Sequence, residues 1–247
     1  MIVPPFAVHI SDSILHWPWL LLGFAAAALL FVVSARRIAD DEIPRIGLLT
    51  AAFFVASLIH VRVGPSSVHL LLNGLVGIIL GWRAALAIMV GLLLQAILLG
   101  HGGFYVLGVN IVVMSVPALL ARPLFTYLLR ERARESFRLR DGLLTVAYIL
   151  HPMLMVAILA LVVLSRQLDW RWDRNADFRA GFLVGSVSVL LTAVLNASML
   201  VVAGVEDWRI VGAVVVVAHI PIALIEGLIV GCTASFLRRV KPEMLAS

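Results

Sequence analysis

From Ser66 to Met114 the chain reads SSVHLLLNGLVGIILGWRAALAIMVGLLLQAILLGHGGFYVLGVNIVVM and carries one formal charge, Arg83. The same run keeps a few uncharged polar groups: His69, Asn73, Gln95, His101 and Asn110. In hydrocarbon each such group is costly unless the protein satisfies it. Polar side chains within so long an apolar run are therefore candidates for a site. The stretch is expected to build most of a small-ion pocket inside a membrane protein.

The rest of the chain supports that setting. Charged residues make up 13% and hydrophobic residues 62%, where a soluble domain carries about 25% charged residues. The deficit is spread along the whole length, so an all-α polytopic membrane protein fits better than a soluble domain with one anchor. One membrane-embedded domain, 1–247, is the simplest count. The net charge of +5 sits in short Lys/Arg clusters between apolar runs. Orientation in the bilayer accounts for those clusters, and no nucleic acid partner is expected. Cys232 stands alone and cannot form an intrachain disulfide.

A span needs about 20 mostly apolar residues. Candidates fall at 18–37, 43–62, 68–82, 84–100, 104–129, 142–165, 180–204 and 209–236, giving seven to eight transmembrane helices. The third is short, but Gly74, Gly77 and Gly81 would let it pack closely. Pro117, Pro123, Pro152 and Pro221 interrupt apolar runs. Arg36, Arg37 and Arg45 follow the first span, and Arg122, Arg130, Arg132, Arg134, Arg138 and Arg140 go with the end of the fifth. The positive-inside bias assigns both clusters to the cytoplasm and the N-terminus to the outside, in a multi-pass cell (inner) membrane protein. Residues 131–141 then form a basic cytoplasmic loop, and 237–247 a basic C-terminal tail. Eight true spans would put Arg238, Arg239 and Lys241 outside, whereas seven would put them inside.

Three polar groupings stand at the predicted outer face. His9-Ile10-Ser11-Asp12 precedes the first span, and Ser11 or Asp12 could simply cap its helix. Ser66-Ser67-Val68-His69 follows Gly64-Pro65, where a helix is expected to begin. His101-Gly102-Gly103 suggests a tight turn, and Asn110 beyond it is a buried amide suited to orienting a ligand. Two or three neutral imidazoles converging there would suit nickel, cobalt, copper or zinc. His151 and His219 lie deep in other segments; a polar contact between His219 and Glu226, two turns on, is one option, and a structural role for both is the favoured one.

With these motifs in hand, the chain resembles the CbiM/NikM family, the substrate-capture (S) components of energy-coupling-factor (ECF) transporters for cobalt and nickel. The likeness rests on HISDSIL, SSVHLLLNGLVGIILG, LLLQAILLGHGGFYVLGVNIVVM and AHIPIALIEGLIVG, over about His9–Leu120 and Gly181–Leu245. It implies an ECF S-component-like bundle and a nitrogen-only, near-planar metal site. The family's ligands are the terminal amine, the backbone nitrogen and imidazole of a His at position two, and a second imidazole. The resemblance places the two imidazoles on His9 and His69. It makes 1–17 an outer-face metal-binding segment; the residues themselves put Asp12 and Asn110 behind the ligands, and His101, read first as part of the tight turn, is the next candidate ligand. Fused chelate rings of this kind favour a square-planar ion.

Three positions depart from the family pattern. Seven residues precede Val8, so His9 is not at position two; translation beginning at Val8, read as Met, would restore Met-His and put the terminal nitrogen at Val8. Ser13 stands where the family usually has Gly. The apolar segment 142–165 is additional to a seven-span pattern.

The implied activity is uptake of Co(II) or Ni(II), captured as cargo at the outer face, with no permanently bound cofactor. Family members work with a transmembrane coupling (T) protein, two cytoplasmic ATPases and often a small accessory membrane subunit. The chain has no G-x-x-x-x-G-K-[ST] motif, so ATP hydrolysis is expected from a partner and the chain is not read as an enzyme. Gly74, Gly77, Ala84, Ala85 and Ala87 offer a small-residue face for the T component or for packing within the chain. The rival readings are an S component for a vitamin or other organic solute, and an intramembrane hydrolase. The second lacks an H-E-x-x-H zinc motif.

Overall fold

A computed structural model describes residues 10–63, 66–131 and 176–245. Helices α1 (Trp17–Ser34) and α2 (Ile43–Ala56) lead into a hairpin of β1 (His60–Val63) and β2 (Ser66–His69). Then come α3 (Asn73–Leu80), a 3₁₀ turn at Gly81–Arg83, α4 (Ala84–Leu99) and α5 (Leu107–Glu131). Helices α6 (Ala176–Ala203) and α7 (Arg209–Val240) complete the described chain, with a short 3₁₀ turn at Pro242–Met244.

Among the described residues, five stretches are long and apolar enough, by length and composition, to cross a membrane: Trp17–Ser34, Asn73–Leu99, Leu107–Leu129, Ala176–Ala203 and Arg209–Val240. The fourth span expected from sequence, and the first, fifth, seventh and eighth, all coincide with helices. Two expectations fail. The second span, 43–62, ends as a helix at Ala56, and residues 60–63 pair as a strand. The third, 68–82, does not start as a helix: β2 pairs antiparallel with β1, His69 opposite His60, and α3 starts only at Asn73.

Helix α3 has eight residues, about 12 Å of rise, against a hydrocarbon core of roughly 30 Å. It runs beside α5 in the same direction. The Asn73 amide reaches the Met114 carbonyl, Gly77 lies against Ala118 and Ala121, and Gly81 lies against Arg122. At Gly81, with φ +58, the chain reverses. Helix α4 then climbs 16 residues, about 24 Å, back to the level at which α5 begins. Residues 73–99 thus form a half-length descent followed by a full ascent. The descent is possible only because the non-helical backbone above it is enclosed by protein.

The small residues allow that enclosure. Gly74, Gly77, Ala84, Ala85 and Ala87 are all buried within the chain. They are therefore unavailable as a docking face, and the packing alternative holds. The exposed apolar surface lies elsewhere, notably on α1, where Leu21, Leu22, Leu29 and Phe31 are exposed.

The helices define two faces. On one, Leu15 bridges to Gly204, His16 N–H donates to the Ala203 carbonyl and Val205 N–H donates to that of Ile14. On the other, Ser34 bonds the Trp82 carbonyl, and Arg238 pairs with Asp177 at 2.9 Å, joining the last turn of α7 to the first of α6. The tail Arg238, Arg239, Lys241 thus shares a face with Arg36 and Arg37, opposite the N-terminal segment. The 142–165 segment and the basic loop beyond Glu131 lie outside the described residues.

Candidate metal centre

The described site candidates lie on two non-helical segments that pack against the bundle. The first is the end of β2. His69 is 1% exposed, and its Nδ1 lies 2.9 Å from the Leu70 carbonyl oxygen. A carbonyl can only accept, so Nδ1 carries a proton and donates, which makes Nε2 the ring nitrogen a metal ion would use.

The amides of Leu71 and Leu72 make no helical hydrogen bonds; the Leu72 carbonyl already accepts from Val76 N–H at 3.0 Å. Leu72 has φ +50, a left-handed conformation unfavourable for a branched side chain. Both amides are met from α7: one carboxylate oxygen of Glu226 accepts from Leu71 N–H, and the other accepts from Leu72 N–H at 2.9 Å. Just below, Asn73 Nδ2 donates to Thr192 Oγ1 at 2.7 Å and to the Met114 carbonyl at 3.3 Å. Thr192 in turn donates to the Ser188 carbonyl. Asn73 Oδ1 is buried with no hydrogen-bond partner among the described residues.

The second segment is residues 10–15. Asn110 grips the Ile10 backbone on both sides, accepting from its N–H at 3.2 Å and donating to its carbonyl at 3.0 Å. Asp12 lies over the start of α5, where its carboxylate accepts from the backbone N–H groups of Phe104, Tyr105 and Val106 at 3.2, 2.9 and 3.1 Å. These are orphan donors ahead of a helix N-terminus, and an anion there is favoured by both hydrogen bonding and the helix dipole. Gly103, with φ +116, must be glycine: a Cβ there would strike the Asp12 carboxylate.

His9 and Val8 lie outside the described residues; Ile10, the next residue, is fastened to α5 by Asn110. His101 occupies a turn between Gly100 and Gly102, both with positive φ, and its N–H bonds the Gln95 carbonyl. Among the described residues, no three His, Cys, Asp or Glu side chains stand together as a cation site. His219 turns Nδ1 to the Val215 carbonyl of its own helix at 2.5 Å, while Glu226 serves Leu71 and Leu72. No hydrogen bond joins His219 to Glu226 among the described residues. Sequence reasoning noticed Glu226 but missed its partners. The signal was a lone carboxylate in an apolar helix, which must be satisfied by something distant.

This architecture defines a polytopic α-helical membrane protein in which a buried, discontinuous segment carries the candidate ligand. A family profile described as "CbiM: Cobalt uptake substrate-specific transmembrane region" matches residues 9–165 and 140–244. The chain belongs to the CbiM family. Among relatives, a Haemophilus influenzae protein, provisionally named a metal transport protein, is 46% identical over 137 residues, which is 56% of this chain and 65% of that one. The cobalt transport protein CbiM of Geobacter sulfurreducens is 34% identical over 122 residues, 46% of this chain and 35% of that one. The aligned part is thus less than two thirds of each of these relatives. A crystal structure of a truncated transition metal transporter shares the fold, with TM-score 0.66 and 18% identity over 94% of this chain and 99% of that one.

Proposed function

We propose that this protein is the substrate-binding membrane subunit of an ECF-type importer and captures Co(II) or Ni(II) at the outer face for ATP-driven uptake. His69 and His9 supply imidazoles, the nitrogen at Val8 completes a chelate with the His9 backbone, and His101 is the reserve ligand. Asn110 and Asp12 act behind them by fixing the segment that carries His9. The Arg36, Arg37 and Arg238 face is cytoplasmic, and the bundle works in the inner membrane with a T protein, two ATPases and a small accessory subunit.

The observation that carries this reading is family membership combined with a buried imidazole, His69, held on a backbone excursion inside the bundle. Nitrogen donors suit both ions, and a planar chelate leans to nickel. Relatives point to both cargoes: one is named a fused nickel transport protein NikMN, and several are named cobalt transport proteins CbiM. A relative named a fused CbiMQ transport protein supports a second membrane component.

The test compares Ni(II) and Co(II) binding by protein begun at Val8, by the 247-residue form, and by a His69→Ala variant. Binding by the shorter form alone, lost without His69, supports the terminal chelate. Equal binding by both lengths removes the amine from the site and makes His101→Ala the next variant. No binding by either favours an organic solute.

A further inference from the structure

We infer that Glu226 is the positioning residue that holds His69 in its ligand orientation, an inference that rests on the reading of His69 as a cargo ligand. His69 closes β2, and the chain must pass from strand to helix within Leu70–Leu72, of which Leu70 and Leu71 are buried and Leu72 half-buried. No helical or sheet partner is available there for the amides of Leu71 and Leu72. Glu226, fully buried on α7, 154 and 155 residues away, accepts from both, one oxygen each. That double anchor fixes the peptide planes immediately after His69, and the His69 ring bonds the first carbonyl of the same segment. The carboxylate therefore sets the path of the segment against which the imidazole is braced.

Chemistry makes this role specific to a carboxylate. Two converging N–H donors need two acceptors, and a carboxylate offers both. A glutamine of the same shape offers one carbonyl oxygen and turns an NH₂ donor toward the second N–H, leaving a buried donor unmet. Aspartate keeps both acceptors but withdraws them by one methylene. The expected order of His69 confinement is Glu, then Asp, then Gln.

The experiment uses the full chain in membranes and reads His69 directly. Glu226→Gln and Glu226→Asp are treated with diethyl pyrocarbonate, and carbethoxylation of His69 and His219 is followed by mass spectrometry beside Ni(II) affinity and the thermal midpoint. His219 is the internal control, since it is also 1% exposed and lies on the same helix as Glu226. The expected result for Glu226→Gln is about a tenfold gain in His69 labelling, the size of one lost charge-assisted hydrogen bond. His219 stays unchanged and Ni(II) binding weakens by a similar factor. Glu226→Asp falls between, and serves alone if the Gln variant fails to reach the membrane.

A lower midpoint with His69 and His219 exposed together marks a merely structural carboxylate and overturns the inference. So does weakened Ni(II) binding with His69 still protected. If the unaltered protein binds no metal yet the Gln variant frees His69 selectively, the metal reading falls and the positioning role stands.

Discussion

Asn110 holds Ile10 as one peptide group holds another across a β-ladder, with its amide oxygen on the Ile10 N–H and its amide nitrogen on the Ile10 carbonyl. The pair is buried and 100 residues apart in sequence, so it docks the N-terminal segment onto α5 at the residue next to His9. Asn110→Leu keeps the volume and removes both bonds. Ile10 then keeps an unmet N–H and carbonyl, at a cost of about 1–3 kcal/mol. The expected outcome is Ni(II) or Co(II) affinity about tenfold weaker or worse, with α-helical content unchanged, measured by equilibrium binding and circular dichroism. Unaltered affinity would detach the Asn110 clasp from the site.

On the opposite face, Arg83 is 4% exposed and tethers the end of α1 to the turn between α3 and α4. Its guanidinium donates to the Ser34, Arg36 and Arg37 carbonyls, each at 2.7 Å, and to both Glu42 oxygens. The Arg83 hydrogen bond, then the Ala39 N–H, hold the Glu42 carboxyl below its ordinary 4.5, against a smaller opposing push from burial. A depressed folded-state value means that the stabilisation is complete above about pH 4.5 and is lost as pH falls through that lower value. Glu42→Gln is expected to lower the thermal midpoint slightly at neutral pH, since Glu42 is one-third exposed and such pairs contribute under about 1 kcal/mol. It is also expected to flatten the acid limb of midpoint against pH. An unchanged acid limb would show that other carboxylates set it.

Much of this organisation is legible in the sequence because apolar length is a local property. Helices α1, α4, α5, α6 and α7 stand where long apolar runs stand, and each satisfies its own backbone. What escaped is non-local. Nothing within SSVHLLL shows that its amides will find Glu226 on α7, so the run reads as a helix start and not as a strand entering the bundle. The polar candidates His69 and Asn110 stand out as expensive groups in apolar company, and Asp12 as a possible helix cap ahead of the first span. Their partners do not, because Asn110 to Ile10 and Asp12 to Tyr105 close loops of 100 and 93 residues.

The parallel run of α3 on α5 depends on a close backbone approach at Gly77, where a Cβ would strike the Ala118 carbonyl and the Ala121 methyl. Backbone cannot retreat as a flexible side chain can, so Gly77→Ala is expected to cost about 1–3 kcal/mol, as overpacking does. Gly47 on α2 is the control, since a Cβ there meets nothing within 4 Å. Gly47→Ala is expected to be neutral or to stabilise by up to about 1 kcal/mol through helix propensity. Thermal midpoints of the two variants in one detergent should move in opposite directions or, at the least, far apart. Similar shifts would mean that α3 yields freely, and that its seat against α5 does not depend on glycine.

Ser13 lies one residue beyond Asp12 in the segment that docks over α5, and its φ is +70. For an L-residue with a Cβ, this left-handed region costs about 1–2 kcal/mol relative to the right-handed one, while glycine enters it freely. The conformation is imposed from both sides: Asp12 is pinned by three amides, and Leu15 is bridged to Gly204. Ser13→Gly should relieve this strain. Part of the gain is offset because glycine also has more freedom to lose from the unfolded chain. The net expectation is stabilisation of about 0.5–1 kcal/mol, read as a higher thermal midpoint, with Ser13→Ala giving no gain because its Cβ remains. Metal affinity should hold or improve in Ser13→Gly, since the Asp12 and Asn110 anchors are untouched. A lower midpoint for the glycine variant would mean that Ser13 contributes a contact worth more than its backbone costs.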